Sequence, residues 1–298
     1  MAQSPVLFDR DLLRARRARA VALGPAGFLL DRVAAELSER LSVVLRKFEL
    51  AADLGTPSDT VSRALKNAVG TVIAVDANPE LRADWAPLTV AADLEALPFR
   101  DGVFDLAVSA LALQFVNDLP GVLTQIRRAL KADGLFLAAL IGGTSLTELR
   151  EAFALAESEV EGGASPRVAP FVDVRELGAL LQRAGFALPV TDIDRLTVRY
   201  ASPLALMHDL RRMGATNALA ERQRAPLRRA TLQRMMEIYG ERFADADGRV
   251  RATFEIVWLS GWAPHESQQK PLAPGSAKMR LADALGAQET SAGEKARR

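Results

Sequence analysis

The stretch that decides the fold is Phe48–Asp76, FELAADLGTPSDTVSRALKNAVGTVIAVD. A first apolar run ends at Asp53, a turn through Gly55 and a helical segment follow, and a second apolar run ends at Asp76. The carboxyl ends of neighbouring parallel strands form the crevice that binds nucleotide-like ligands, and an acid about 20 residues past a glycine turn can bind ribose hydroxyls. The pattern therefore predicts a strand, turn, helix and strand with a nucleotide-type site at the strand ends.

The composition is that of a globular chain without thiol chemistry. The 298 residues are 49% hydrophobic, and 38 basic residues nearly balance 37 acidic ones, which argues against a nucleic-acid surface. Cysteine is absent, so disulfides, thiolate nucleophiles and cysteine-ligated metals are excluded. No apolar run reaches the ~18 residues of a membrane helix. We therefore expect a soluble, cytoplasmic protein, or a mitochondrial matrix protein if the source is eukaryotic.

Strands and helices alternate as far as Gly143. Repeated units of this length predict a doubly wound, mostly parallel α/β sheet with N-terminal helices. Beyond Gly143 helices predominate, with an edge strand at 191–200 and a strong final strand at 253–260. Helices are predicted at 7–20, 28–48, 58–68, from Asn78-Pro79-Glu80, and at 119–131, 145–160, 170–186, 203–213 and 217–239. By region we expect a helical entry at 1–47, a cofactor-binding core at 48–143, a helical substrate-covering region at 144–250, a final strand and polar segment at 251–286, and a disordered tail at 287–298.

Further short motifs follow the first unit in a fixed order. Asp93-Leu94 follows the third strand, Phe104-Asp105 opens the fourth, and Asp133-Gly134 precedes the fifth. With the acid-x-glycine turn and the acid that ends the second strand, these motifs resemble class I S-adenosylmethionine-dependent methyltransferases over about residues 48–143. The resemblance implies a seven-stranded sheet with an antiparallel last strand, S-adenosyl-L-methionine as cofactor, and methyl transfer to an unidentified acceptor.

A narrower resemblance extends across nearly the whole chain. Leu7-Phe8-Asp9-Arg10, the stretch 210–219 and the stretch 254–278 are similar to bacterial relatives of mitochondrial complex I assembly factor 5, a group close to the malonyl carrier-protein methyltransferases of biotin synthesis. This resemblance implies an alternative activity, arginine hydroxylation on a complex I subunit, and a partner that is such a subunit or another acidic protein. A non-catalytic scaffold with the same fold is a third hypothesis.

The resemblance also implies the cofactor-binding residues. Asp53 orients the first loop or meets the methionine ammonium, Asp76 accepts the ribose hydroxyls, and Asp93 contacts the adenine. Two structural alternatives stay open, in which Asp53 caps the next helix and Asp76 forms an Asx-type turn. The full predicted set is Asp53, Gly55, Thr56, Asp76, Ala77, Asp93, Leu94 and Ser109.

Other positions carry expectations of their own. Pro57 and Asp59 depart from the family pattern, which has glycines in this loop, and so motivate the scaffold hypothesis. Arginines of the first helix are interpreted as a solvated face, with an acidic-partner site as the alternative. No metal site is predicted, since no second histidine lies at helical spacing from His265. Substrate-binding residues are predicted at Gln114, Trp262 and His265.

Overall fold

The computed structural model describes residues 6–79, 88–269, 276, 283 and 285–287. One compact unit comprises Met1–Pro264 and a second comprises His265–Arg298. The helix predicted from Asn78-Pro79-Glu80 and the disordered tail predicted at 287–298 lie almost entirely outside the described residues. Within the described residues, no helix has the length and apolarity needed to cross a bilayer.

A single seven-stranded sheet organises the first unit. Its strand order is β3-β2-β1-β4-β5-β7-β6, in which β3, β2, β1, β4 and β5 are parallel and β7 is antiparallel to both of its neighbours. The predicted doubly wound, mostly parallel sheet is therefore confirmed, as are the antiparallel final strand and the edge strand. The strands are β1 (Phe48–Leu54), β2 (Val69–Asp76), β3 (Thr89–Ala91), β4 (Phe104–Ala110), β5 (Leu130–Gly142), β6 (Ala187–Tyr200) and β7 (Val250–Trp262).

The helices agree with the sequence pattern except at two segments. The helix predicted at 28–48 ends at Ser42, and Phe48 instead begins β1. The helix predicted at 217–239 begins only at Arg229, since Pro226 interrupts the segment and residues before it pair with the N-terminus instead. Phe8 and Leu219 form an antiparallel bridge, and the Asp9 N–H donates to the Ala218 carbonyl at 2.8 Å. The helices are α1 (Arg10–Ala22), α2 (Phe28–Ser42), α3 (Thr60–Leu65), α4 (Leu119–Ala129), α5 (Thr147–Glu161), α6 (Val174–Arg183), α7 (Pro203–Arg212) and α8 (Arg229–Phe243), with a 3-10 turn at Leu113–Phe115.

Both faces of the sheet are covered by apolar side chains. Neighbouring strand residues alternate between two buried clusters, so Val108 belongs to one and Ala107 to the other. The first cluster includes residues of α2, α3, α5, α7 and α8, and the second includes residues of α4 and α6. Because both faces are occupied, the carboxyl edge of the parallel strands is where a ligand can enter the sheet.

Candidate active site

The turn after β1 brings the backbone of Gly55 close to its neighbours. Gly55 has φ +69°, and its N–H donates to the Val75 carbonyl at 2.7 Å. A Cβ at this position would lie 2.6 Å from Leu94 Cδ1 and 3.1 Å from Ala112 Cβ. Both the left-handed backbone and the lack of space require glycine here.

Asp53 and Thr56 fix the shape of this turn from inside. Both side chains are fully buried. The Asp53 carboxylate accepts hydrogen bonds from the Thr56 hydroxyl and, at 2.7 Å, from the Ser62 hydroxyl of α3. Thr56 Oγ1 in turn accepts from the Ala110 N–H at 3.2 Å. The Asp53 carboxylate thus ties the turn to α3 through the Ser62 side chain, whereas the N-cap position of α3 is Asp59.

Asp76, at the end of β2, is paired with an arginine of α1. Its side chain is 2% exposed and accepts from Arg17 Nη2 at 2.9 Å, while the same guanidinium nitrogen donates to the Gly55 carbonyl at 3.1 Å. Asp76 Oδ1 also accepts from the Asn78 N–H at 2.9 Å, which makes the predicted Asx-type turn. The Asp76 carboxylate, which is expected to bind ribose, thus already accepts hydrogen bonds from protein groups.

Asp93, after β3, is paired with a second arginine of α1. Arg10 lies two helical turns from Arg17, so both project from one face of the helix, and Arg10 forms ion pairs with Asp93 and, at 3.5 Å, with Glu95. Burial by itself raises the pKa of Asp93, but the hydrogen bonds from Arg10 and from the Glu95 N–H outweigh it and hold that pKa below its ordinary value. The solvated-face interpretation of the α1 arginines is wrong for Arg10 and Arg17.

These groups surround a small cavity of about 90 Å³ at the carboxyl edge of the sheet. Sites for small molecules usually measure about 300–1,000 Å³. The guanidinium groups of Arg10 and Arg17 fill much of the space beside the two acids, so a ligand that binds both carboxylates requires these side chains to move. The predicted cofactor residues that line this small cavity are Gly55, Asp76, Ala77, Asp93 and Leu94.

A large cavity of about 530 Å³ adjoins the small one. Its wall is mostly apolar and includes Phe8, Leu30 and Phe153. The two cavities share several lining residues, so they meet at the turn after β1. The shared residues are Arg17, Pro57, Leu111, Phe115 and Met213.

Gln114, predicted to bind substrate, lies in the wall of the large cavity. Its Nε2 donates to the Leu111 carbonyl at 2.8 Å, and this contact fixes the orientation of the amide because a carbonyl can only accept. The amide oxygen is buried and has no hydrogen-bond partner in the described part of the chain. An unpaired buried acceptor costs about 1–3 kcal/mol, so the Gln114 side chain lacks one stabilising hydrogen bond among the described residues.

Three other predicted residues lie outside both cavities. Ser109 is fully buried and donates to the Leu54 carbonyl at 2.7 Å, so it joins β4 to β1. Trp262, the last residue of β7, pairs with Leu135 in the amino-terminal half of β5, away from the carboxyl ends of the parallel strands, because β7 runs antiparallel. His265, in the second compact unit, has its Nδ1 2.7 Å from the Ser267 hydroxyl. The described residues contain no cluster of three or more metal-binding side chains.

Sequence reasoning missed that Arg10 and Arg17 pair with the acids. It also missed that Pro57 lines both cavities. Arg10 and Arg17 are separated by the heptad spacing that places residues on one helix face, and this signal was available in the sequence. Asp59, the other departure from the family loop, forms an ion pair with Arg63 at 2.7 Å. Both departing residues line the large cavity, and Pro57 lines the small one as well.

The fold and the site together define a class I methyltransferase: a doubly wound sheet with an antiparallel last strand, a glycine turn after β1, and acids after β2 and β3. A family model described as a methyltransferase domain matches residues 52–138. The YcgJ protein of Bacillus subtilis shares this fold, with a TM-score of 0.54, 16% identity, and coverage of 78% of this chain and 99% of that chain.

Full-length relatives make the assignment narrower. The mitochondrial arginine-hydroxylase NDUFAF5 of Danio rerio is 39% identical over 93% of this chain and 89% of its own length. A malonyl-[acyl-carrier protein] O-methyltransferase of Halorhodospira halophila is 35% identical over 84% of this chain and 86% of its own length. The chain belongs to the NDUFAF5 family of S-adenosylmethionine-dependent methyltransferases.

The small cavity has the groups that S-adenosylmethionine requires. Each oxygen of the Asp76 carboxylate can accept a hydroxyl hydrogen of a ribose, and Gly55 keeps the turn free of a side chain. Asp93 and Leu94 offer a carboxylate and an apolar side chain on the far side of the same cavity. When bound, the cofactor supplies a methyl group on a positively charged sulfur. A cofactor held by Asp76 and Asp93 would have to displace Arg17 and Arg10 from these acids.

Proposed function

We propose that this protein transfers the methyl group of S-adenosylmethionine to an acceptor that binds in the large cavity. The observation that carries the proposal is the junction between the two cavities, where Arg17, Pro57 and Leu111 line both. Methyl transfer from a sulfonium depends chiefly on the alignment of the nucleophile, the methyl carbon and the leaving sulfur. Two adjoining sites supply that alignment without a general base.

Gln114 supports an acceptor that carries a hydrogen-bond donor. The Oε1 atom lacks a donor in the described residues, and the Nε2 contact with Leu111 prevents the amide from reversing. Because this oxygen has almost no accessible surface, an O–H or N–H group of an acceptor in the large cavity would supply the missing hydrogen bond only after a shift of the Gln114 side chain. Gln114 would then orient the reacting heteroatom next to the junction.

Titration calorimetry with S-adenosylmethionine tests the cofactor half of the proposal. We expect a saturable one-site isotherm, and circular dichroism of the same sample establishes that the protein is folded. A folded protein that produces no binding heat at high concentration would leave the scaffold hypothesis in place of the methyltransferase.

A second candidate function is arginine hydroxylation on a protein. The Danio rerio relative is named for that activity, and its similarity spans 93% of this chain. A complex I subunit or another acidic protein is then the partner, and the mitochondrial matrix is the compartment if the source is eukaryotic. Mass mapping of complex I peptides from a deletion strain should reveal the loss of one hydroxylated arginine. An unchanged peptide map would argue against this candidate.

A further inference from the structure

A third depression, of about 400 Å³, lies beside the large cavity and is strongly basic. It shares Arg167 and Asn217 with the wall of the large cavity, so the two spaces are adjacent. We call it the arginine depression. Its charged lining residues are Arg16, Arg167, Arg222, Arg224 and the single acid Asp9.

Two of the four arginines are neutralised by carboxylates. Arg222 forms an ion pair with Asp9 at 3.1 Å, and Arg167 Nε donates to Glu157 at 2.6 Å. The Glu157 side chain is 1% exposed, so this second pair is built into the protein. The arginine depression therefore keeps the positive charge of the other two arginines.

The remaining arginines have no carboxylate of their own among the described residues. Arg16 donates to the Asn217 backbone carbonyl, and Arg224 is exposed and forms no ion pair within the described chain. Burial, followed by the charges of Arg19 and Arg222, holds the pKa of Arg16 below its ordinary value. An anion in the depression would offset the contribution of Arg19 and Arg222 to this shift, whereas the larger contribution, from burial, would remain.

We propose that the protein binds a single dissolved amphiphile whose apolar chain occupies the large cavity and whose carboxylate or phosphate head lies in the arginine depression. The apolar walls suit the chain, and guanidinium groups suit a planar or tetrahedral anion. The large cavity that would hold the chain extends to the junction lined by Arg17, Pro57 and Leu111. A ligand of this kind is a methyl acceptor only where the far end of its chain carries an O–H or N–H group, whose proton is released to solvent on methylation. That role rests on the proposed function, whereas binding of the ligand does not.

Other occupants match only part of this arrangement. A neutral apolar molecule leaves the charge of Arg16 and Arg224 without a partner. An arginine side chain of a protein substrate carries the same charge sign as the depression, and like charges repel. An acidic protein surface satisfies the arginines but leaves the large apolar cavity empty.

Calorimetry with octyl, decyl and dodecyl phosphate, each below its micellar concentration and without cofactor, tests the proposal. We expect affinity to rise about fourfold per added methylene until the cavity is full, since burial of one CH₂ contributes about 0.8 kcal/mol. Decanoate should also bind. Inorganic phosphate, decyl glucoside and decylguanidinium should each bind at least about tenfold more weakly than decyl phosphate.

Substitution of Arg224 tests the position of the head group. Arg224→Gln should weaken the binding of decyl phosphate about 3- to 10-fold and leave the binding of decyl glucoside unchanged. Such a loss is expected when one exposed charge-assisted contact is removed. Arg100→Gln, at an exposed arginine that lines none of the three spaces, is the matched control and should change neither. Circular dichroism establishes that both variants are folded.

Several results would overturn the proposal. Affinity that is independent of chain length, with inorganic phosphate as good as decyl phosphate, would make the arginine depression a plain anion or acidic-protein surface. Tighter binding of decylguanidinium would favour an arginine substrate. Sedimentation with phosphatidic acid vesicles without binding of monomeric decyl phosphate would assign the site to a membrane. The titrations with S-adenosylmethionine and with amphiphile are separate experiments. Failure of the methyltransferase proposal is therefore distinguishable from failure of the amphiphile proposal.

Discussion

The two cavities that meet at Arg17 differ in their lining: the small one has paired acids and arginines, and the large one is mostly apolar. In the small cavity, buried or half-buried acids already hold guanidinium groups of α1, and the free volume is about 90 Å³. The large cavity has apolar walls, an acceptor without a donor at Gln114, and about 530 Å³ of space. At the proposed site, cofactor binding would therefore compete with protein ion pairs, whereas a ligand of the large cavity would enter a space that is already formed.

Removal of the carboxylate at Asp76 should cause the largest loss of S-adenosylmethionine affinity at the small cavity. Asp76→Ala deletes the acceptor of both ribose hydroxyls, and two hydrogen bonds to a charged group correspond to about a 1,000-fold loss of S-adenosylmethionine affinity. Calorimetry measures the loss, and Asp101→Ala, at an exposed acid paired with Arg128, is the control. Affinity retained in Asp76→Ala would place the cofactor in another pocket.

A methyl group at Gly55 should distort the small cavity and leave the large one intact. We expect Gly55→Ala to lower the free energy of unfolding by about 3 kcal/mol, since it combines left-handed strain with the 2.6 Å contact to Leu94. Gly102→Ala is a matched control, because Gly102 also has φ +69° but no atom within 4 Å of an added Cβ. In urea unfolding, the free energy of unfolding of Gly102→Ala should fall by only about 1 kcal/mol. Equal losses would mean that contact with Leu94 has no effect.

Loss of the Arg17 side chain should make S-adenosylmethionine bind more tightly in the small cavity, because a protein group that competes for Asp76 is removed. Without the guanidinium, Asp76 has one ion pair fewer to give up, and S-adenosylmethionine should bind about tenfold more tightly to Arg17→Ala in calorimetry. Arg14→Ala is the control on the same helix, since Arg14 lines the small cavity but pairs with Asp11. Weaker binding in Arg17→Ala would instead make Arg17 a cofactor-binding residue.

The smallest expected effect concerns the pH dependence of the Arg10–Asp93 pair. Because the pKa of folded Asp93 lies below its ordinary 3.8, the pair stabilises the protein above that pH, and the stabilisation is lost as pH falls through the folded pKa. Arg10→Gln should lower the free energy of unfolding by about 0.5 kcal/mol at pH 7. The difference from wild type in urea titrations should vanish under acid conditions. A difference that persists there would have another cause.

Part of the candidate site could be predicted because it depends on local pattern and sheet geometry. The parallel strands bring their carboxyl ends to one edge, so acids at the ends of successive strands, Asp76 and Asp93, had to approach the glycine turn. Ser109 follows the same logic only in part. It lies at the end of a neighbouring strand, but its hydroxyl is turned to the Leu54 carbonyl and lines neither cavity.

The sequence by itself determined the alternation of strands and helices and the glycine turn at position 55, because these follow from periodicity and backbone sterics. The antiparallel direction of the final strand was implied by the family resemblance and not by periodicity. Only the tertiary structure decided that α1 places Arg17 against Asp76, 59 residues away, and that Trp262 lies away from the carboxyl ends of the parallel strands. Strand direction and helix docking set such contacts. A pattern of residues along the chain does not encode which distant surfaces meet.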